Sequence, residues 1–164
     1  MSSAADHSRG ILVVGNSGSR KSTLARRLAG EHGLTHLDLD PFAWLPTEPP
    51  TRMALEEAER QIRSALADTE GWVVEGCYAD LLGLLADEAT ELIFLDLPVE
   101  VCQSHARSRP WEPHKYPSKE AQDANLSMLL EWIAAYPERD GALGRAAHLE
   151  LFDRFGGQKR RVTT

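Results

Sequence analysis

The sequence has few cysteines, little positive charge and no long apolar run, and each shortage excludes a class of protein. Its 164 residues include two cysteines, Cys77 and Cys102. They match neither a disulfide framework nor a metal-binding spacing, so a reducing compartment is the default. No apolar stretch approaches the roughly 20 residues of a membrane-spanning helix, and residues 1–9 lack the apolar core of a signal peptide. We therefore expect a soluble, cytoplasmic protein.

Positive charge is scarce as well. The chain has 18 lysines and arginines against 25 aspartates and glutamates, a formal net charge of -7. Nonspecific nucleic-acid binders need a basic patch, and the only dense basic run is Lys159–Arg161, which we interpret as a solvated surface segment. Neither a nucleic acid nor a membrane is an expected partner. With 42% hydrophobic residues, residues 1–164 are sufficient for one globular domain with a proper core.

The sequence does contain a candidate phosphate-binding loop. The segment GNSGSRKST (15–23) follows the apolar run Ile11–Val14 and precedes the alternating stretch LARRLA, which predicts strand, tight loop and helix. In the pattern G-x-x-x-x-G-K-[ST], backbone N–H groups surround phosphate oxygens, the lysine reaches the outer phosphates and the hydroxyl binds magnesium. A plain glycine-serine turn would leave this arrangement before a helix unexplained. The predicted nucleotide-binding residues are Gly15, Asn16, Ser17, Gly18, Ser19, Arg20, Lys21, Ser22 and Thr23.

Arg20 departs from the pattern, which asks for glycine at this position. If the position needs a positive φ, a non-glycine residue costs about 1–2 kcal/mol. That cost would weaken nucleotide binding about tenfold if it arose only in the bound state. An arginine can also add a charge-assisted contact to a phosphate. We expect the steric effect to be larger, so that Arg20→Gly tightens ATP binding. Because of Arg20, it stays open whether the protein has catalytic activity.

Apolar periodicity predicts alternating strands and helices after a loose tail at residues 1–9. The predicted strands are 11–14, 35–39, 72–75, 92–96 and, at the end of the chain, 161–164. The predicted helices are 21–32, 51–68, 80–86, one opened by Pro98, 119–136 and 142–155. Proline-rich loops are expected at 41–50 and 107–118. This alternation predicts an α/β fold, a three-layer α/β/α domain with a five-stranded parallel sheet and strand 11–14 in the centre.

Acidic residues stand at the carboxyl ends of the predicted strands, where parallel sheets bind ligands. They are Asp38, Asp40, Glu75 and Asp96. Alternation along the second strand points Asp38 and Asp40 to the same side. Asp96 precedes Leu-Pro at a helix start, so we interpret it as a cap. His105 and His114 match no common metal spacing and are interpreted as exposed histidines near the 107–118 loop.

Four segments together carry a resemblance to a known family. They are GNSGSRKSTLARRLA, HLDLD, WVVEG and LIFLDLP, within residues 10–136. They resemble the small P-loop kinases of the adenylate kinase and shikimate kinase type, and most of all the adenylate-kinase-like family labelled DNA topology modulation protein. The resemblance implies a P-loop NTPase fold with ATP and Mg²⁺ as cofactors, Ser22 and Glu75 at the metal, and Arg107 and Arg109 in a lid segment at 107–118. The glycine-rich triplet and arginine motif that grip shikimate are not visible.

The expected function is phosphoryl transfer from ATP to a small-molecule acceptor. Lys21, magnesium and the lid arginines Arg107 and Arg109 would stabilise the transferring phosphoryl group. A carboxylate would take the acceptor's proton, either Asp40 or, as the alternative, Asp38. Two other functions stay open: a weak or inactive nucleotide-binding relative with a regulatory role, and an NTP-hydrolysing nucleic-acid module, which the net charge disfavours. The sequence does not identify the acceptor.

Overall fold

A computed structural model of the chain describes residues 9–164. The expected tail, residues 1–9, lies outside this range except for Arg9. The Arg9 guanidinium contacts Glu91, with Nε donating to Oε1 at 2.8 Å. The chain is therefore anchored directly before its first strand.

Strands and helices alternate along most of the described chain. The strands are β1 (Gly10–Gly15), β2 (Thr35–Asp38), β3 (Trp44–Leu45), β4 (Thr51–Arg52), β5 (Trp72–Gly76), β6 (Glu91–Leu95) and β7 (Gln158–Val162). The α-helices are α1 (Lys21–His32), α2 (Asp40–Ala43), α3 (Leu55–Leu66), α4 (Ala79–Leu85), α5 (Val99–Arg107), α6 (Lys119–Ala134) and α7 (Arg145–Arg154). A short 3₁₀ helix covers Tyr136–Glu138.

Five strands form one sheet in the order β2-β5-β1-β6-β7, and every pairing in it is parallel. β1 lies in the middle, where Ile11 is opposite Val73 of β5 and Glu91 of β6. A central strand is covered on both faces, which explains why residues 11–14 are all apolar and fully buried. The predicted parallel sheet with this strand at its centre is confirmed.

Helices cover both faces of the sheet because successive side chains of β1 point in opposite directions. Leu12 and Val14 pack with apolar residues of α3, α4 and α7. Ile11 and Val13 pack with apolar residues of α1 on the other face. A smaller cluster joins α5 to α6 through Cys102, Ala106 and Ile133. The three-layer α/β/α architecture is therefore confirmed.

The segment after β2 differs from the prediction of a loop over residues 41–50 followed by a helix capped by Thr51. The single turn α2 forms there first, and Pro41 favours it because its fixed φ suits the first positions of a helix. β3 and β4 then pair as an antiparallel hairpin in which Leu45 is opposite Thr51. Thr51 therefore belongs to a strand, and α3 begins later, at Leu55.

The last strand also begins earlier than the predicted 161–164. β7 starts at Gln158 and pairs with β6 along its full length. The basic run Lys159–Arg161 lies on this exposed edge strand, as a surface interpretation requires. Within the described residues 9–164, no helix has both the length and the hydropathy to cross a membrane.

Candidate active site

β1 ends at Gly15, and a tight loop connects it to the start of α1. The loop closes on itself, because the backbone N–H and the hydroxyl of Ser19 both donate to the carbonyl of Asn16, at 3.2 and 2.7 Å. The backbone N–H groups of the first three residues of α1 have no hydrogen-bond acceptor within residues 9–164. Unpaired donors at a helix N-terminus, with the positive end of the helix dipole, bind anions.

Two glycines let neighbouring backbone approach this loop. A Cβ on Gly15 would lie 2.8 Å from the carbonyl oxygen of Leu95. Gly18 has a φ of 80°, and a Cβ there would lie 2.4 Å from the carbonyl oxygen of Cys102 in α5. Side chains at either position would therefore displace β6 or α5 from the loop. The His105 Nδ1 of α5 lies 2.7 Å from the carbonyl oxygen of Gly18, which fixes α5 to the loop a second time.

Arg20 has the left-handed backbone that the glycine pattern demands. Its φ is 66° and its ψ 37°, and within residues 9–164 it is the only non-glycine residue with a positive φ. The side chain is exposed and lines the cavity described below. We expect the dihedral cost to belong to the folded loop itself, and therefore to be a cost to folding rather than to binding alone.

The other predicted loop residues divide into two groups. Ser17, Gly18 and Thr23 line the cavity together with Lys21 and Ser22. Asn16 is buried instead, and its Nδ2 donates to the carbonyl of Ile133 at 3.2 Å, which ties the loop to the end of α6. Asn16 and Ser19 therefore shape the loop from behind, and the cavity-lining residues are the candidates for ligand contact.

Lys21, Ser22 and Glu75 lie together at the edge of the sheet. The Ser22 hydroxyl donates to Glu75 Oε2 at 2.7 Å, and His36 Nε2 lies 3.0 Å from the same oxygen. Burial alone would raise the pKa of Glu75, whose side chain is 3% exposed, but the contacts of His36 and Ser22 and the charge of Lys21 outweigh it and lower the pKa. Glu75 is thus an anion at neutral pH. His36 could not be found from the sequence, because its contact with Glu75 depends on the pairing of β2 with β5.

Ser22 and Glu75 fit the predicted magnesium site. No group of three or more His, Cys, Asp or Glu side chains is arranged to hold a metal in the part of the chain that the structure describes. Mg²⁺ does not need such a group, since it usually takes one or two protein oxygens and completes its shell with phosphates and water. The Ser22 hydroxyl and the Glu75 carboxylate, 2.7 Å apart beside the anion-binding helix end, have this character.

Asp38 and Asp40 are brought together differently from the prediction. β2 ends at Asp38, and Asp40 begins α2, so the two carboxylates do not alternate along one strand. The Asp40 backbone N–H donates to Asp38 Oδ1 at 2.9 Å, and both residues line the cavity. Burial raises the pKa of Asp38, and the negative charges of Asp40 and Glu75 add to the effect.

A hydrogen-bonded chain of aromatic side chains supports Asp40. The Tyr78 hydroxyl donates to Asp40 Oδ1 at 2.7 Å and accepts from Trp44 Nε1 at 2.9 Å. The Arg52 guanidinium lies 5.8 Å from the centroid of the Trp44 ring and 5.2 Å from that of the Tyr78 ring. It also donates to both carboxylate oxygens of Asp80. The Asp40 side chain is therefore held in a fixed orientation, and its second carboxylate oxygen is left for a ligand. No sequence pattern signals this support, since its members come from α2, the hairpin and the β5–α4 connection.

The segment 108–118 contributes part of the cavity wall. Arg109 lines the cavity and lies 3.5 Å from Glu112 Oε1. Arg107 is the last residue of α5, and its exposed side chain lies outside the cavity wall. Of the predicted lid arginines, Arg109 alone is therefore placed to meet a bound phosphate. The prediction of an exposed histidine is wrong for His105, which is half-buried against the carbonyl of Gly18. His114 is exposed, as predicted.

The cavity between these elements has a volume of about 570 Å³. The loop and α1 contribute Arg20, Lys21 and Arg26 to its wall, and the 108–118 segment contributes Arg109 and Lys115. The ends of β2 and β5 contribute the carboxylates Asp38, Asp40 and Glu75. A cationic half and a carboxylate half thus face the same space.

Asp96 is not a helix cap. It is buried and receives hydrogen bonds from Arg145 at 2.8 Å and from Arg161 at 2.7 Å, while α5 begins after Pro98. The contact with Arg145, reinforced by Arg161, lowers the pKa of Asp96 although burial opposes it. This carboxylate ties β6 to β7 and α7 and is committed to that structural role.

Similarity to solved structures adds a fold assignment. An unliganded structure described as a sugar kinase, from Janibacter sp. HTCC2649, matches with a TM-score of 0.50 and 19% identity over 94% of this chain and 84% of that chain. The chain shares the fold of that structure. A shikimate kinase from Bacteroides thetaiotaomicron (13% identity, 89% of this chain and 95% of that chain) and an uncharacterized protein from Eubacterium ventriosum ATCC 27560 (14%, 94% and 88%) match at a TM-score of 0.48. No protein-family model and no curated protein matches the sequence. At such identities the likeness extends to the fold alone, and membership of the DNA topology modulation family stays a prediction.

Proposed function

We propose that this protein is an ATP-dependent kinase that phosphorylates a hydroxyl group of a small molecule. The observation that carries the proposal is the meeting, in one cavity, of an anion-binding loop with a carboxylate held for proton transfer. The unpaired N–H groups at the start of α1 lie beside Lys21 and Ser22, and Asp40 faces the same space. Phosphoryl transfer needs positioning and charge neutralisation more than covalent chemistry, and both are supplied here.

The loop would hold the β- and γ-phosphates of ATP. Lys21 Nζ now donates to the carbonyl of Asn16 at 2.8 Å, so it lies folded over the space that a phosphate would take. Ser22 and Glu75 would hold Mg²⁺, and the chemistry that Mg²⁺ supplies when bound is neutralisation of charge on the phosphate oxygens. Arg109 stands across the cavity, where a second cation can reach the transferring group.

Asp40 would orient the acceptor hydroxyl and take its proton. The hydroxyl oxygen forms a bond to the γ-phosphorus while the bond from that phosphorus to the β,γ-bridging oxygen breaks, and ADP keeps the electron pair of the broken bond. Because Tyr78 occupies Oδ1 of Asp40, the proton goes to Oδ2. Asp38 holds the backbone of Asp40 instead and is the less suitable base.

Asp40→Asn tests this assignment. With an acceptor found by screening for ADP release, kcat is expected to fall roughly a hundredfold, with ATP affinity close to that of the parent by calorimetry in Mg²⁺. Asp68→Asn is the matched control, since Asp68 is an exposed aspartate after α3. An Asp40→Asn variant with parental kcat would remove Asp40 from the mechanism.

A nucleotide-binding protein without turnover is the second candidate, favoured by the left-handed Arg20 in the loop. The two functions differ in one result. A kinase hydrolyses Mg-ATP slowly even without an acceptor, and Lys21→Ala abolishes that reaction. An inactive relative binds ATP with similar affinity and shows no Lys21-dependent release of ADP.

A further inference from the structure

The carboxylate half of the cavity carries a one-sided charge. From residues 35–80, the side chains and backbone that line the cavity belong to His36, Asp38, Asp40, Glu75, Gly76 and Cys77. They include three carboxylates, and no lysine or arginine from residues 35–80 lines the cavity. The Glu75 carboxylate contacts Ser22 and His36. The Asp38 carboxylate accepts one backbone N–H and the Asp40 carboxylate accepts one hydroxyl, and neither contacts a cationic side chain by a hydrogen bond.

Two of the nearby cations have other carboxylate partners. Arg52 lies behind Tyr78, where it stacks on the aromatic rings and is held by both oxygens of Asp80. Lys115 of the 108–118 segment partly offsets the raised pKa of Asp38 through its charge, but its Nζ also lies 4.0 Å from Glu112 Oε2. Arg20 and Arg26 belong to the loop and α1, on the cationic half. A phosphate or carboxylate group placed against β2 and β5 would meet like charges without a bidentate arginine to bind it.

We infer that the acceptor hydroxyl belongs to a compound that is uncharged or carries an amine, and that acceptors bearing a phosphate or carboxylate group are excluded. This inference rests on the proposed kinase function for its meaning, since it names the substrate class of the same site. It differs from that function in its physical basis, which is the electrostatic potential at the ends of β2 and β5.

Cys77 offers a direct measurement of that potential, independent of ATP turnover. It lies in the carboxylate half and is partly exposed, whereas Cys102 is fully buried, so small thiol reagents report on Cys77. The probes are a matched pair of methanethiosulfonates, one with a trimethylammonium group and one with a sulfonate. Burial raises the pKa of the Cys77 thiol, but this slows both reagents alike and cancels in the ratio of their rates.

The expected ratio of cationic to anionic reaction rate at Cys77 is at least tenfold above that of free cysteine, since clefts of one sign concentrate counter-ions about tenfold or more. Asp38→Asn should lower the ratio. As a matched control, Ser108→Cys in a Cys77→Ser background places the thiol beside Arg109 and should favour the sulfonate. Should the native thiol prove too slow, His36→Cys supplies one in the same half. A ratio at Cys77 equal to or below that of free cysteine overturns the inference.

Matched acceptors test the substrate class itself, by ADP release with Mg-ATP. Glucose and glucosamine are compared with gluconate and glucose 6-phosphate, and ribose with ribose 5-phosphate. Higher kcat/KM for the uncharged or amine-bearing member of a pair supports the inference, and higher kcat/KM for the anionic member overturns it while leaving the kinase function intact. Failure of ATP to bind by calorimetry would instead overturn the proposed function, whatever the thiol rates show.

Discussion

Replacing Arg20 by glycine and by alanine separates the cost of its backbone from the effect of its charge. Both variants lose the guanidinium, but alanine keeps the cost of a left-handed backbone, about 1–2 kcal/mol, which glycine removes. Glycine in turn loses about 0.4–1 kcal/mol through the greater entropy of its unfolded chain. Arg20→Gly should therefore be more stable than Arg20→Ala by about 1 kcal/mol, or about 3 °C in Tm for a chain of this size.

Urea unfolding and thermal melts of the two variants without nucleotide measure this difference. If the folded loop itself imposes the φ of 66°, the difference should be present before any ligand is added. An alanine variant as stable as the glycine variant would show that residue 20 is not held in the left-handed region. The reasoning about strain would then fail.

Calorimetry with Mg-ATP gives the second half of the test. If the backbone cost belongs to the folded loop, the glycine and alanine variants should bind ATP equally, and both should bind roughly three- to tenfold more weakly than the parent through loss of a cation at the phosphates. Arg20→Lys should keep most of the affinity. If glycine alone tightens binding, the strain arises on binding, as the sequence analysis expects.

Four further outcomes are expected. Tyr78→Phe removes the hydrogen bond to Asp40 while keeping the ring, and should lower kcat about tenfold with unchanged ATP affinity. Burial lowers the pKa of His148 to about 4 from 6.5, so stability is full above about pH 6.5 and falls by roughly 1.4 kcal/mol per unit as the pH drops toward 4, which urea unfolding at pH 7 and pH 5 will measure. Asp96→Ala leaves two partly exposed arginines without their partner and should cost roughly 1.5–3 kcal/mol by the same assay, whereas a loss under 1 kcal/mol would contradict a structural role. Amide exchange in residues 108–118 should be fast without nucleotide and slow with it, and protection equal to that of the sheet would argue against a lid.

The fold could be predicted largely because its signals are local. The run Ile11–Val14 is apolar without interruption, which is the pattern of a strand covered on both faces, and the glycine-rich segment after it has a recognisable spacing. The support of the site could not be predicted in the same way. His36 meets Glu75 across 39 residues, and Tyr78 meets Asp40 across 38. Such contacts depend on strand order and on a hairpin, which residue spacing does not encode.

Asp96 shows that a local sequence pattern can also predict a wrong role. An aspartate two residues before a proline has a local interpretation as a cap, and that interpretation is wrong. Its arginine partners lie 49 and 65 residues further along the chain. A charged residue at a strand end thus has a role that only the tertiary structure decides.

Gly18 and Arg20 both have a positive φ, but their surroundings allow different substitutions. Gly18 has no space for a Cβ against the Cys102 carbonyl, so that any side chain there would push α5 away. The side chain of residue 20 is exposed in the open cavity, and its left-handed backbone is one that glycine and asparagine adopt readily and arginine adopts at a cost. Homologues should therefore keep glycine at 15 and 18 while position 20 drifts. A search with G-x-x-G-x-x-K-[ST] would collect relatives that a pattern with glycine before the lysine discards.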